Sequence, residues 1–127
     1  MRALYVLLGD PVAHSRSPKI FARAFSLLGL DAVYAPCRVT DVPAAIHGLR
    51  ALGAAGFNVT VPHKEAVAKL CGKLDAPAAR MGAVNCVDAA FTGYNTDVAG
   101  LLRALEDLGK ATLAPSVVLG AGGAARA

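Results

Sequence analysis

Leu4-Tyr-Val-Leu-Leu-Gly-Asp-Pro-Val-Ala-His-Ser-Arg-Ser-Pro18 reads as a short apolar strand, a turn and the opening of a helix. Leu4 to Leu8 form the strand, and Gly9-Asp-Pro11 end it. Ser17 is placed to cap the helix and Pro18 suits its first position, where a missing N–H costs nothing. Ile20, Phe21, Ala24, Phe25 and Leu28 then recur at helical spacing, and Gly29 stops the run. Ala32 to Val39 is a second strand. Strand, helix, strand in so short a span is the unit from which parallel sheets are built.

The alternation continues. Asp41 caps a helix through about Leu52, and Gly56-Phe-Asn-Val-Thr-Val61 is a third strand broken by Pro62. Lys64 to Leu70 is helical, and Pro77 begins a short helix ending near Met81. Ala83 to Asp88 and Phe91 to Tyr94 are two further strands. Asp97 to Leu108 is an amphipathic helix with Val98, Leu101, Leu102, Leu105 and Leu108 on one face. The expected fold is α/β: an open, mostly parallel twisted sheet flanked by helices in three layers. Ligands of such sheets sit at the carboxyl ends of the strands.

After a linker at Gly109 to Ala114, Val117-Val-Leu119 reads as one more strand running into Gly120-Ala-Gly-Gly-Ala-Ala125. That G-x-G-x-x-A pattern opens a dinucleotide-binding unit of Rossmann type, with backbone amides free to approach a pyrophosphate. The expected division is therefore a unit over 1–113 and the first strand and glycine loop of a nucleotide domain over 114–127.

Composition narrows the function classes. The 127 residues are 55% hydrophobic and 17% charged, which favours a packed interior over disorder. The net charge of +4 is dispersed, with no two basic residues adjacent, so a mild preference for anionic ligands is expected and nucleic acid is not. Cys37, Cys71 and Cys86 match no zinc or C-x-x-C spacing, so no metal is expected and the thiols read as reduced. Ala3 to Leu8 is too short for a signal core or a membrane span, and a cytoplasmic location is expected.

Polar residues fall where the strands end. Ser15 and Ser17 flank a helix N-terminus, where hydroxyls, amides and the dipole suit a carboxylate, although Ser17 also serves as a simple cap. Asn58 and Thr60 share one face of the third strand, which ought to be apolar if it is interior. Lys64 follows at the mouth of the same crevice, either as a solvated helix residue or as a general acid/base. Asn85 interrupts another apolar strand. Asp97 serves as a helix cap, or as a carboxylate beside Lys64 that positions its ammonium. Together these residues suit a hydroxylated, anionic small molecule, and the adjoining nucleotide loop suits hydride transfer at an alcohol carbon.

Gly9-Asp-Pro-Val-Ala-His-Ser-Arg-Ser-Pro18, Phe57-Asn-Val-Thr-Val-Pro-His-Lys-Glu65, Gly82-Ala-Val-Asn85, Gly93-Tyr-Asn-Thr-Asp97 and Leu119-Gly-Ala-Gly-Gly-Ala124 resemble the shikimate dehydrogenase family, in its order and approximate spacing. The resemblance implies NADP-dependent reduction of 3-dehydroshikimate to shikimate, on the route to aromatic amino acids. It implies that Ser15 and Ser17 hold the substrate carboxylate, and that Asn58, Thr60, Asn85 and Asp97 bind ring hydroxyls. Lys64 paired with Asp97 would move the proton, and Gly120, Ala121, Gly122, Gly123 and Ala124 would cradle NADP. The implied partner is shikimate or 3-dehydroshikimate, with no membrane or nucleic acid, and a homodimer stays open. Quinate or an aminated shikimate is the alternative substrate, and a non-catalytic self-associating module is the alternative class. The 127 residues alone are expected to turn over little. Three departures stand out: Phe21-Ala22 where the family often has His-Asn, Cys86 where Thr is common, and a short hairpin over Val87 to Gly93.

Overall fold

The computed structural model describes residues 2–109, 115–122 and 125. Its strands are β1 (Ala3–Gly9), β2 (Ala32–Arg38), β3 (Gly56–Val59), β4 (Lys73–Leu74), β5 (Cys86–Asp88) and β6 (Thr92–Tyr94). Its helices are α1 (Ser17–Leu27), α2 (Val42–Ala51), α3 (Lys64–Ala68), α4 (Ala76–Met81) and α5 (Asp97–Asp107). The strands form one sheet in the order β2-β1-β3-β5-β6-β4. Strand β1 pairs in parallel with both β2 and β3, β4 pairs in parallel with β6, and β5 runs antiparallel to β3 and β6.

Alternation along β1 explains the layers. Val6 and Leu8 pack with Val42, Ile46 and Leu49 of α2, Val67 of α3 and Ala78 of α4. Leu7, between them, packs with Phe25 of α1 and Tyr34 of β2. Successive side chains of a strand point to opposite faces, so α1 covers one face and α2, α3 and α4 the other. Both faces of β1 are thus buried, which is why it reads as an unbroken apolar run.

Close backbone approach depends on Gly9. A Cβ there would stand 2.4 Å from Thr60 Cγ2 and 2.8 Å from Val12 Cγ1, so only glycine lets the loops after β1 and β3 come together.

Several elements differ from the sequence expectation. Strand β4 has no counterpart in it: two residues carry no periodicity, and the pairing with β6 is purely tertiary. The helix expected to be capped by Ser17 has Arg16 at its cap position, and Ser15 Oγ accepts the Ser17 N–H at 3.2 Å instead. A serine turn two residues back does the capping, which leaves the Ser17 hydroxyl to other partners. Val117, Val118 and Leu119 form no strand and are exposed, because no described residue pairs with them. The expected apolar face of α5 carries no buried residue. Most of the linker and the boundary at 113–114 lie outside the described residues.

Candidate functional site

The order 2-1-3 means that the chain leaves β1 to one side for β2 and returns past it for β3, and the crevice between β1 and β3 is the switch point of the sheet. At its open end stand Ser15 in the loop after β1 and Ser17 at the start of α1, with Thr60 in the loop after β3 and Lys64 at the start of α3. The antiparallel strands bring the rest. Because β5 runs opposite to β3, Asn85 just before β5 lies at the same end, and its carbonyl accepts the Val59 N–H at 2.9 Å. Because β6 reverses again, the residues after Tyr94 return there too.

Lys64 and Asp97 meet. Lys64 Nζ lies 2.6 Å from Asp97 Oδ2, with side chains 16% and 32% exposed. Asn85 Nδ2 donates to Asp97 Oδ1 at 2.8 Å, and Asn85 Oδ1 accepts the Thr96 N–H at 3.0 Å. A backbone N–H cannot accept, so the Asn85 carboxamide has one orientation and the carboxylate is gripped on both oxygens. Asp97 does not cap α5, whose cap position is Thr96. The Asp97 N–H is satisfied by Asn95 Oδ1 at 2.9 Å, and Asn95, 3% exposed, is anchored through Nδ2 to the Ala83 carbonyl. Freed from capping, the Asp97 carboxylate turns to the lysine.

Asn58 joins the same network. Its Nδ2 donates to the Asn85 carbonyl at 3.1 Å and its Oδ1 accepts from the Tyr34 hydroxyl at 3.0 Å. Burial pushes the Tyr34 phenol up to about 12, opposed by a hydrogen bond with the Ser17 side chain, so it stays protonated across ordinary pH. Ser15, Ser17 and Thr60 line a cavity of about 520 Å³ with His14 and Arg16. His63, 9% exposed, donates from Nε2 to the Val39 carbonyl at 2.7 Å. Burial, then the Asp88 charge, raises the Cys86 thiol.

The structure thus brings Asn58, Lys64, Asn85 and Asp97 into one network and sets Ser15, Ser17 and Thr60 around one cavity. Sequence reasoning missed Tyr34 and Thr96. An aromatic in a strand reads as core, but a buried phenol needs a partner, and that was the available signal.

The glycine loop stands apart. Gly120, Ala121 and Gly122 are exposed, and Gly120 has φ +106°, a conformation open to glycine. Among the described residues, a Cβ on Gly120 or Gly122 would meet nothing within 4 Å. Gly123 and Ala124 lie outside the described residues. Among the described residues no group of three or more His, Cys, Asp or Glu could hold a metal ion, and no helix is long and apolar enough to cross a membrane.

Comparison with known proteins gives a consistent result. The sequence profile described as "Shikimate dehydrogenase substrate binding domain" matches residues 7–87. The shikimate dehydrogenase (NADP(+)) of Anaeromyxobacter sp. (strain Fw109-5) is 50% identical over 130 residues, covering 98% of this chain and 47% of that protein. A shikimate dehydrogenase solved in complex with NADP+ superposes with a TM-score of 0.88 at 40% identity, over 98% of this chain and 46% of that one. The Thermus thermophilus enzyme, solved in complex with shikimate, gives a TM-score of 0.85 at 39% identity, over 98% of this chain and 49% of that one. The chain spans about half the length of the curated relatives it matches.

Proposed function

The chain belongs to the shikimate dehydrogenase family, and from that premise we propose that it carries the substrate half-site of an NADP-dependent interconversion of 3-dehydroshikimate and shikimate. The observation that carries the reading is the half-buried Lys64–Asp97 pair, 2.6 Å apart, with Asn85 on the free carboxylate oxygen.

Ser15, Ser17 and the start of α1 bind the substrate carboxylate, where hydroxyls and the helix dipole favour negative charge. Asn58, Thr60, Asn85 and Asp97 hold ring hydroxyls. Lys64 donates its proton to the carbonyl oxygen as that oxygen becomes an alkoxide, and in reverse the neutral amine takes the hydroxyl proton. Asp97 holds the ammonium in line. When bound, NADP(H) supplies or accepts the hydride, and Gly120, Ala121, Gly122, Gly123 and Ala124 would hold its pyrophosphate.

The test uses the protein made from its whole reading frame, with shikimate and NADP+, followed at the absorbance of the reduced nicotinamide. Turnover is expected, and Lys64→Ala should lower kcat by about 10²–10⁴-fold with folding intact. No turnover with shikimate, or full activity in Lys64→Ala, rejects the reading. Residues 1–127 alone should bind shikimate and turn over little.

A further inference from the structure

On the sheet face that carries Asn58, four aromatic rings run in contact toward the crevice. Tyr5 meets Phe25 at 5.4 Å, Phe25 meets Phe21 at 5.8 Å, and Phe21 lies on Tyr34 at 4.3 Å with only 3° between the ring planes. Among the described residues the other ring pairs are tilted by 37° to 58°. A flat stack restricts rocking of the Tyr34 ring, and so fixes where its hydroxyl stands. Tyr34 is 8% exposed, and that hydroxyl donates to Asn58 Oδ1 at 3.0 Å.

The last link has a direction. Asn58 Nδ2 faces the Asn85 carbonyl, which can only accept, so the amide nitrogen belongs there and the oxygen belongs at Tyr34. A turned carboxamide would set oxygen against oxygen. With both partners in place, one Asn58 N–H is spent on Asn85 and the other remains for a ligand. We propose that Phe21 is a positioning residue: by stacking on Tyr34 it holds the phenol that locks the Asn58 carboxamide with an N–H available to a hydroxyl of the substrate. The raised Tyr34 pKa, about 12, keeps the phenol a donor throughout the working pH range.

This role rests on the substrate reading above, so one arm of the test needs no ligand. In ligand-free protein from the whole reading frame, the Asn58 side-chain amide is followed by NMR. Phe21→Leu should displace or broaden its resonances as Tyr34→Phe does, whereas Phe21→His, which keeps a flat ring, should leave them in place. In the second arm, shikimate affinity is measured by calorimetry in a double-mutant cycle. Phe21→Leu should weaken binding about tenfold with Asn58 present and less than about twofold in an Asn58→Ala background. Should Phe21→Leu not fold, Phe21→Met replaces it with the same expectations. An Asn58 amide unmoved by loss of the ring, or equal losses in both backgrounds, overturns the role. If the amide responds as expected and shikimate does not bind, the substrate reading fails and the positioning role stands.

Discussion

Asn85 is the residue on which the rest of the crevice turns. It holds Asp97 by its side chain, while its carbonyl receives both Val59 and Asn58. Asn85→Asp would set an acceptor against the Asp97 oxygen that now accepts from Asn85 Nδ2. The lysine's partner would lose its hold, and kcat is expected to fall about tenfold, read from steady-state turnover with folding intact. Tyr34 gives a second prediction. Its folded pKa of about 12 lies above the ordinary value of 10.0, so between those values the folded chain holds a proton that the unfolded chain has lost. Its contribution to stability is complete below pH 10 and is lost as pH rises toward 12. Urea midpoints over that range should fall more steeply for the unaltered protein than for Tyr34→Phe. Asn58 and Asn85 could be picked out from sequence because amides inside apolar stretches break a rule, although Asn85 stands just before β5 and not in a strand. Tyr34 could be suspected as a buried phenol, but its partner could not be named, because Asn58 lies on a strand separated from it by β1.

Elements place these residues through their ends. The loops after β1 and β3 touch at Gly9, where an added methyl would press on Thr60, Val12 and the Val61 carbonyl. Gly9→Ala should cost about 1–3 kcal/mol in chemical denaturation and weaken shikimate binding, since Thr60 must shift. A loss of stability with unchanged affinity would show that Thr60 makes no contact. Helix starts are less legible in the sequence than helix spans. The sequence offers Ser17 as the cap, and only the loop path turns Ser15 Oγ onto the Ser17 N–H. Asp41 and Asp75, by contrast, cap α2 and α4 directly, accepting from Ala44 at 3.0 Å and Ala78 at 2.8 Å.

Across the molecule, stability is concentrated at β1, which is paired on both sides and buried on both faces. Native-state hydrogen exchange should be slowest for Val6, Leu7 and Leu8 and fastest among the elements for α5, which buries no residue. Comparable protection in α5 and β1 would contradict this. The sequence alone determined the alternation of strands and helices, the apolar centre of the sheet and the identity of the polar residues near it. These follow from periodicity, caps and breakers, which act over a few residues. Tertiary structure decided what is nonlocal: the antiparallel entry of β5 that returns Asn85 and Asp97 to the crevice, the two-residue β4, and the stack that ties Phe21 to Asn58. Each depends on which strand lies beside which, and pairing between distant strands leaves no local period in the chain.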